Sequence, residues 1–237
     1  MGLYERSESW FAVAWIVAYV VVVGTLRANL GDSSLAGLAA LAAFAALSAA
    51  FVRRSGTGEK YGLAVAPKNA RRCLYFVPLA LLVLPNLVPF SPVAPGRGAV
   101  VSVLCMLLVG YVEEFVFRGL LFRAVQRENG LVPAVAVSAV TFGIGHLVNL
   151  LTGQVTLATL LQVCYAVAIG FAMVMVLLRC GSLWPCVACH GAIDVLSAVN
   201  VAVSSEPVAV AGSVFLVLVA GGYAWYLWKA GSGEGTA

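Results

Sequence analysis

The sequence carries little charge for its length. Asp, Glu, Lys and Arg make up 10% of the 237 residues, and hydrophobic residues make up 62%. A soluble domain carries roughly 25% charged residues. This composition excludes an ordinary soluble globular protein and predicts a polytopic membrane protein. We therefore expect the lipid bilayer as a partner and no nucleic acid.

Several motifs of other protein classes are also missing or misplaced. The sequence contains neither the zinc-protease pattern H-E-x-x-H nor the nucleophile pattern G-x-S-x-G. Its six cysteines lie mostly in apolar runs, where a thiol behaves as a small hydrophobe, and indicate no disulfide framework. Cys186-Val187-Ala188-Cys189-His190 matches the pattern of c-type haem attachment. That attachment takes place outside the cytoplasm, whereas the charge pattern places this segment inside, so we expect no haem.

Long apolar runs are abundant, and each is long enough to cross a bilayer at about 20 residues per helix. They cover residues 10–29, 34–52, 73–90, 99–122, 131–151, 156–178, 182–202 and 207–228. The sequence therefore predicts an all-α fold, a polytopic transmembrane helical bundle of about eight spans. We expect residues 1–237 to form a single integral membrane domain that ends in a disordered tail at 229–237.

Basic residues are concentrated in alternate loops. The loop between the second and third runs holds Arg53, Arg54, Lys60, Lys68, Arg71 and Arg72, and Arg123, Arg127, Arg179 and Lys229 follow later runs. The intervening loops hold only Arg27 and Arg97. The positive-inside rule then predicts that both termini are cytoplasmic. We expect the plasma membrane of a prokaryote as the location.

Three ionisable residues lie close together inside one apolar run. Glu113, Glu114 and Arg118 each cost at least about 2.5–3.5 kcal/mol near a bilayer centre on insertion scales, so a function is the default explanation. Glu114 and Arg118 are four residues apart and share a helix face, which favours an ion pair. Glu113 points about 100° away from Glu114 and has no local partner.

The only two histidines, His146 and His190, also fall inside apolar runs, and His190 shares a helix face with Asp194 four residues later. At about 1.5 Å per residue, the depths of His146 and His190 along their helices overlap with the depth of Glu113. We therefore expect Glu113, His146, His190 and Asp194 to meet in one cavity that opens to the cytoplasmic side. Such a set suits general-base activation of water. It equally suits a divalent metal such as zinc, and the residues leave that alternative open.

Three motifs together resemble the CPBP family of intramembrane proteases, which includes type II CAAX prenyl endopeptidases and bacteriocin-processing or immunity proteins. They are Glu113-Glu114-x-x-x-Arg118, Phe142-x-x-x-His146 and His190-x-x-x-Asp194, within a protease-like core of about residues 75–202. The resemblance implies that Glu113 and His146 activate water and that Glu114 pairs with Arg118. It also implies that His190 and Asp194 support the oxyanion or the site geometry. We expect Arg118 and Asn149 to give structural support.

The predicted function is intramembrane hydrolysis of a peptide bond in a membrane-associated substrate, by water that carboxylate and histidine side chains activate. One alternative is a non-catalytic immunity or scaffold protein that keeps the motifs. Another is a proton-coupled carrier, because Glu, His and Asp also form proton relays. A carrier predicts inverted repeats and broken helices in both halves of the chain, and the sequence shows neither. A prenylated C-terminus, a leader peptide and a membrane-bound regulator all remain open as substrates.

Overall fold

The computed structural model describes residues 2–150, 154 and 156–232. Its α-helices are α1 Leu3–Arg6, α2 Glu8–Leu30, α3 Leu35–Ser55, α4 Val77–Leu81, α5 Arg97–Glu114, α6 Phe122–Asn129, α7 Leu131–Gly145, α8 Thr156–Cys180, α9 Trp184–Val199 and α10 Glu206–Ser232. A π-helix, Phe115–Leu121, joins α5 to α6, and 3₁₀-helices cover Leu74–Phe76, Leu84–Leu87 and His146–Leu150. The predicted all-α class is confirmed.

Six helical stretches of the described chain are long and apolar enough to cross a membrane. They are Glu8–Leu30, Leu35–Ser55, Arg97–Asn129, Leu131–Leu150, Thr156–Cys180 and Glu206–Gly231. Helix α9 is apolar but shorter, with 16 residues. The third predicted run, 73–90, is not one helix. The structure thus retains the membrane bundle but has fewer continuous spans than the eight that hydropathy predicts.

Prolines explain why the run 73–90 is broken. Pro78 and Pro85 each stand in the first turn of a short helical piece, where proline is tolerated because its missing N–H would have no helical partner. If the residues before each proline were also helical, the proline ring would clash with the preceding helical turn. No single helix can therefore continue through both positions. The run is apolar enough to span, but its backbone cannot form one span.

The broken run nevertheless passes from one end of the bundle to the other. Before it, Asn69 donates a hydrogen bond to the carbonyl of Arg179 at the end of α8 (3.0 Å). After it, Asn200 at the end of α9 donates to the carbonyls of Asn86 (3.0 Å) and Pro89 (2.8 Å). Its two ends are therefore fixed at opposite ends of α9, and the order of crossings that hydropathy predicts is kept.

Helix α5 lies against α9 at very short range. A Cβ atom added at Gly110 would lie 2.7 Å from the backbone nitrogen of Gly191, closer than real Cβ contacts allow. Small residues permit such close approach of helices in a membrane. This crossing lies one turn before Glu113 and beside His190, so it is what brings the acidic motif against the histidine of α9.

One end of the bundle is held together by a basic cluster, and we call residues 53–72, 123–130 and 179–184 the basic end. Glu8 at the start of α2 accepts hydrogen bonds from Lys60 (2.6 Å) and Arg127 (3.0 Å). The backbone N–H of Leu183 donates to the carbonyl of Gly62 (2.9 Å). Residues 53–72 therefore fold back over this end of the helices instead of extending away from it.

The chain terminus differs in part from the prediction. Helix α10 continues to Ser232, so residues 229–232 are helical and do not belong to a disordered tail. The remaining predicted tail, residues 233–237, lies outside the described residues.

Candidate active site

Glu114 lies at the centre of a fully enclosed polar group. Its Oε1 atom accepts a hydrogen bond from Arg118 Nη1 at 2.9 Å and lies 2.9 Å from His190 Nδ1. The side chains of Glu114 and Arg118 are both 0% exposed. The i,i+4 spacing predicts this ion pair, and in the structure it lies where α5 passes into the π-helix Phe115–Leu121. A π-helical turn is wider than an α-helical one and is frequent at functional sites.

Phe142 packs three of the polar side chains together. The Arg118 guanidinium lies over its ring, 4.0 Å from the centroid. The rings of His146 and His190 meet it edge to face, at centroid distances of 5.2 and 5.5 Å. An aromatic face attracts a cation, more so when water is excluded. Phe142 therefore separates His146 from the Glu114–Arg118 pair and fixes where both imidazoles stand.

Glu113, the neighbouring acid, faces a cavity instead. Its side chain is 17% exposed, against 0% for Glu114. Its Oε1 atom accepts a hydrogen bond from the Tyr19 hydroxyl at 2.8 Å, while Oε2 lies 3.7 Å from His190 Nε2. The same His190 nitrogen is 3.4 Å from Asp194 Oδ2. Three carboxylates thus surround His190, and Glu113 is the one held by α2.

His146 ends helix α7 and lines the same cavity as Glu113. Its Nδ1 atom lies 3.1 Å from the carbonyl oxygen of Phe142, which leaves Nε2 for the cavity. In the described part of the chain, no hydrogen bond or ion pair joins His146 to Glu113. Asn149, one turn further, donates to Gln162 Oε1 at 2.9 Å and lies at the cavity wall.

Two cavities meet at the histidines. A polar cavity of about 560 Å³ extends from Glu113 to Arg27 and Asp32 at the C-terminal end of α2. A second cavity of about 540 Å³ runs between α8, α10 and the broken run, past Val88. The residues that line both are Phe142, His146, Gln162, His190, Asp194 and Ser197. Of the predicted site residues, His146, His190 and Asp194 therefore lie where the polar cavity joins the largely apolar one.

The predicted opening of the cavity on the side of the basic loops is wrong. Among the described residues, none that lines either cavity belongs to the basic end. That end is closed because the loop after α3 folds over it: Tyr61 is 1% exposed and Leu183 is 0% exposed. Both cavities reach the opposite end instead, which we call the open end and define by residues 27–34, 84–97 and 199–205.

The four residues considered as metal ligands do not form a ligand set in this geometry. Within the described ranges, no group of three or more His, Cys, Asp or Glu side chains is arranged to hold a metal ion. His190 Nδ1 is engaged by Glu114, and only its Nε2 faces Glu113 and Asp194. A catalytic zinc site usually has three protein ligands. The described side chains do not provide three such ligands.

Two residues of the site, Tyr19 and Gln162, were missed from the sequence, and the contacts of a third, Phe142, were not predicted. Tyr19 lies on α2, outside the three motifs, and its hydroxyl in the middle of an apolar run is the only local signal. Gln162 is a polar residue within the apolar helix α8 and accepts from both Asn149 and Gln154 (2.9 and 3.0 Å). Phe142 is part of a motif, but its contacts depend on how the helices pack and have no signal in the sequence.

Comparison with known proteins identifies the region that carries the motifs. Residues 95–196 match the family model described as Type II CAAX prenyl endopeptidase Rce1-like. No curated protein and no solved structure matches the chain. The matched range holds the three motifs and their helices, but not α2 with Tyr19. Over residues 95–196, less than half of the chain, the protein is therefore similar to the Rce1-like type II CAAX prenyl endopeptidases, and this similarity supports its resemblance to the CPBP family.

Proposed function

We propose that the protein is an endopeptidase in which Glu113 is the general base that activates water. The observation that carries this proposal is the contrast between two adjacent acids. Glu114 is 0% exposed and paired with Arg118, whereas Glu113 is 17% exposed and lines a polar cavity. Only an acid that water can reach can take a proton from it.

In this mechanism the water molecule stands between Glu113 and His146 in the polar cavity. Glu113 takes one proton as the water oxygen attacks the carbonyl carbon of the scissile peptide bond. The tetrahedral intermediate then collapses, the C–N bond breaks, and the proton passes from Glu113 to the departing amine. No covalent link to the protein forms at any stage.

His190 contacts the reacting oxygen in this scheme, and two carboxylates hold its ring in position. Glu114 holds its Nδ1 atom (2.9 Å) and Asp194 lies near its Nε2 atom (3.4 Å), so the ring cannot rotate freely. Because Nδ1 donates its hydrogen to Glu114, Nε2 carries a hydrogen only when the ring is an imidazolium, the form that the three surrounding carboxylates favour. In that form the Nε2 edge, which faces the cavity beside Glu113, donates to the oxygen of the tetrahedral intermediate. Donors fixed before the reaction stabilise developing charge at little reorganisation cost.

The substrate in this proposal is a membrane-associated peptide or protein, because the site lies among helices long enough to span a bilayer. Both termini are proposed to be cytoplasmic, since most Lys and Arg residues lie at the basic end, where the N-terminal helix begins. The plasma membrane of a prokaryote is the proposed location.

The experiment that tests the function compares membrane proteomes of cells that produce the wild type, Glu113→Gln or Glu59→Gln. Glu59 is an exposed acid of the basic end and serves as the matched control. We expect one or more membrane-associated proteins to accumulate uncleaved with Glu113→Gln and to be processed with Glu59→Gln. If Glu113→Gln processes every protein as the wild type does, the protease mechanism fails and the non-catalytic scaffold hypothesis takes its place.

Metal dependence has its own test on the purified protein. The mechanism above predicts that a chelator leaves the cleavage rate unchanged, because no step passes through a metal. Inhibition that added zinc reverses would contradict this, and would assign ligand roles to Glu113, His146, His190 and Asp194. The same chelator applied to Glu59→Gln controls for general effects on the membrane preparation.

A further inference from the structure

The cavities and the basic residues lie at opposite ends of the bundle. The polar cavity begins at the level of Tyr19 and Glu113 and reaches Arg27 and Asp32. From Tyr19 to the end of α2 at Leu30 the helix rises about 16 Å. A polar cavity therefore connects the candidate active site with the open end.

Among the described residues, none that lines either cavity lies at the basic end. Beyond Glu114 in that direction lie Phe115 and Phe122, both 0% exposed, and Tyr61 at 1%. The Tyr61 ring meets Phe115 edge to face at 5.7 Å. Backbone hydrogen bonds from Lys68 to the carbonyl of Cys180 (2.9 Å) and from Leu183 to that of Gly62 fix the loop in place. A peptide could not reach the site from this end without displacing that loop.

The distribution of Lys and Arg residues indicates which end of the bundle faces the cytoplasm. The chain has 14 Lys and Arg residues. Arg118 is buried inside the bundle, and Arg27 and Arg97 lie at the open end. The other eleven lie at the basic end or on the segments that begin and finish there. Cytoplasmic loops carry the excess of Lys and Arg in membrane proteins, so the basic end is the cytoplasmic one.

We propose that the candidate active site opens to the extracytoplasmic side and that its substrates are membrane-anchored proteins cleaved in segments exposed on that side. The proposal rests on the protease function proposed above. The polar cavity would admit the peptide and water from outside. The second, largely apolar cavity between α8 and α10 would take the substrate's membrane-embedded part. A prenylated C-terminus in the cytosol could not reach the site, so this proposal selects against that substrate class.

Cysteine labelling in intact cells tests the side of the cavity. The test uses three variants that each replace a serine by a cysteine, so the change in side-chain size is the same in all three. They are made in a Cys164→Ser background, because Cys164 is the exposed native cysteine. Ser33 lies at the open end, Ser197 lines both cavities, and Ser55 ends α3 at the basic end. We expect a membrane-impermeant maleimide to label Ser33→Cys and Ser197→Cys in intact cells. It should label Ser55→Cys only after the membrane is permeabilised.

Two labelling results would overturn the proposal. One is labelling of Ser55→Cys in intact cells while Ser33→Cys reacts only after permeabilisation, which inverts the orientation. The other is protection of Ser197→Cys in intact cells when Ser33→Cys is labelled, which closes the cavity to the outside. Neither result depends on proteolysis, so orientation is judged separately from the protease function.

The substrates are tested by where their cleavage sites lie. Proteins that accumulate uncleaved with Glu113→Gln should have cleavage sites on the extracytoplasmic side of their membrane anchor. Cleavage sites on the cytoplasmic side would overturn the substrate assignment even if the labelling agrees. If no protein accumulates, the protease function fails and the substrate assignment with it, while the labelling result still stands for the cavity.

Discussion

Two adjacent acids on one helix lie in opposite surroundings. Glu114 is enclosed among Arg118, His190 and fully buried aromatic side chains. Glu113 accepts a hydrogen bond from Tyr19, lies 3.7 Å from His190 Nε2, and lines the polar cavity with a side chain that is 17% exposed. Consecutive residues of a helix point about 100° apart. For this reason Glu114 faces the buried interior while Glu113, one position earlier, faces the cavity.

The comparison suggests a division of roles. A buried ion pair contributes little net stability, but removal of one partner leaves an uncompensated charge that is strongly destabilising. Glu114 therefore fixes the fold and the position of His190, whereas Glu113 keeps a surface that water can reach. The predictions below separate these roles, beginning with the largest expected effect.

Glu113→Gln and His146→Ala should each lower the cleavage rate by about 10²–10⁴-fold, the range typical of losing a general base or its partner. Because residues that act as one unit are not additive, the double variant should be little slower than either single variant. Initial rates on the substrate found by the proteome comparison measure this, with Glu59→Gln as the control. Fully multiplicative losses would show that the two residues act independently.

Arg118→Ala should destabilise the folded protein by about 3–5 kcal/mol, because Glu114 would be left buried without its partner. Glu114→Gln introduced into that variant should restore part of the loss. Thermal unfolding in detergent, together with the yield of inserted protein, measures both. The pairing would have no energetic role if the double variant were as unstable as Arg118→Ala.

Gly110→Ala should destabilise the protein by about 1–3 kcal/mol, as overpacking does, because the new Cβ would lie 2.7 Å from the backbone of Gly191. Gly222→Ala in α10 is the matched control, since a Cβ there meets nothing within 4 Å. Thermal unfolding of the two variants is compared. Equal midpoints would mean that α5 and α9 do not approach as closely as described.

Tyr19→Phe removes one hydroxyl and keeps the ring, so it should have the smallest effect. A hydrogen bond to a charged group contributes about 1.5–3 kcal/mol, so a fall in kcat of at least about tenfold is expected. KM should not change, because the residue positions Glu113 and does not bind substrate, whereas loss of the hydrogen bond should also lower the thermal midpoint. Tyr226→Phe, on an exposed tyrosine of α10, is the control. An unchanged kcat would remove Tyr19 from the site.

The sequence alone predicted the helical membrane class and the helices that carry the site. Apolar runs report on membrane crossing directly, because every charge left in them is costly. The i,i+4 spacing of Glu114 and Arg118 likewise predicts their pair without any tertiary information. These features depend on composition or on one helix, and both can be deduced from local sequence.

Features that depend on packing between distant segments could not be deduced. The run 73–90 has the hydropathy of a span, and its prolines carried no weight in that estimate. The π-helix has no sequence signal comparable to a helix cap. The basic end is closed because residues 53–72 fold over it, and Tyr61 gives no indication of this in the sequence. The cavity was consequently predicted at the wrong end.

The central claim is that the two adjacent acids differ in role, and purified Glu113→Gln and Glu114→Gln test it side by side. Both thermal midpoint and cleavage rate are measured for each variant. Glu113→Gln should keep the wild-type midpoint and lose cleavage by about 10²–10⁴-fold, whereas Glu114→Gln should lower the midpoint because Arg118 loses its partner. Wild-type cleavage by folded Glu113→Gln, or a wild-type midpoint for Glu114→Gln, would contradict the account.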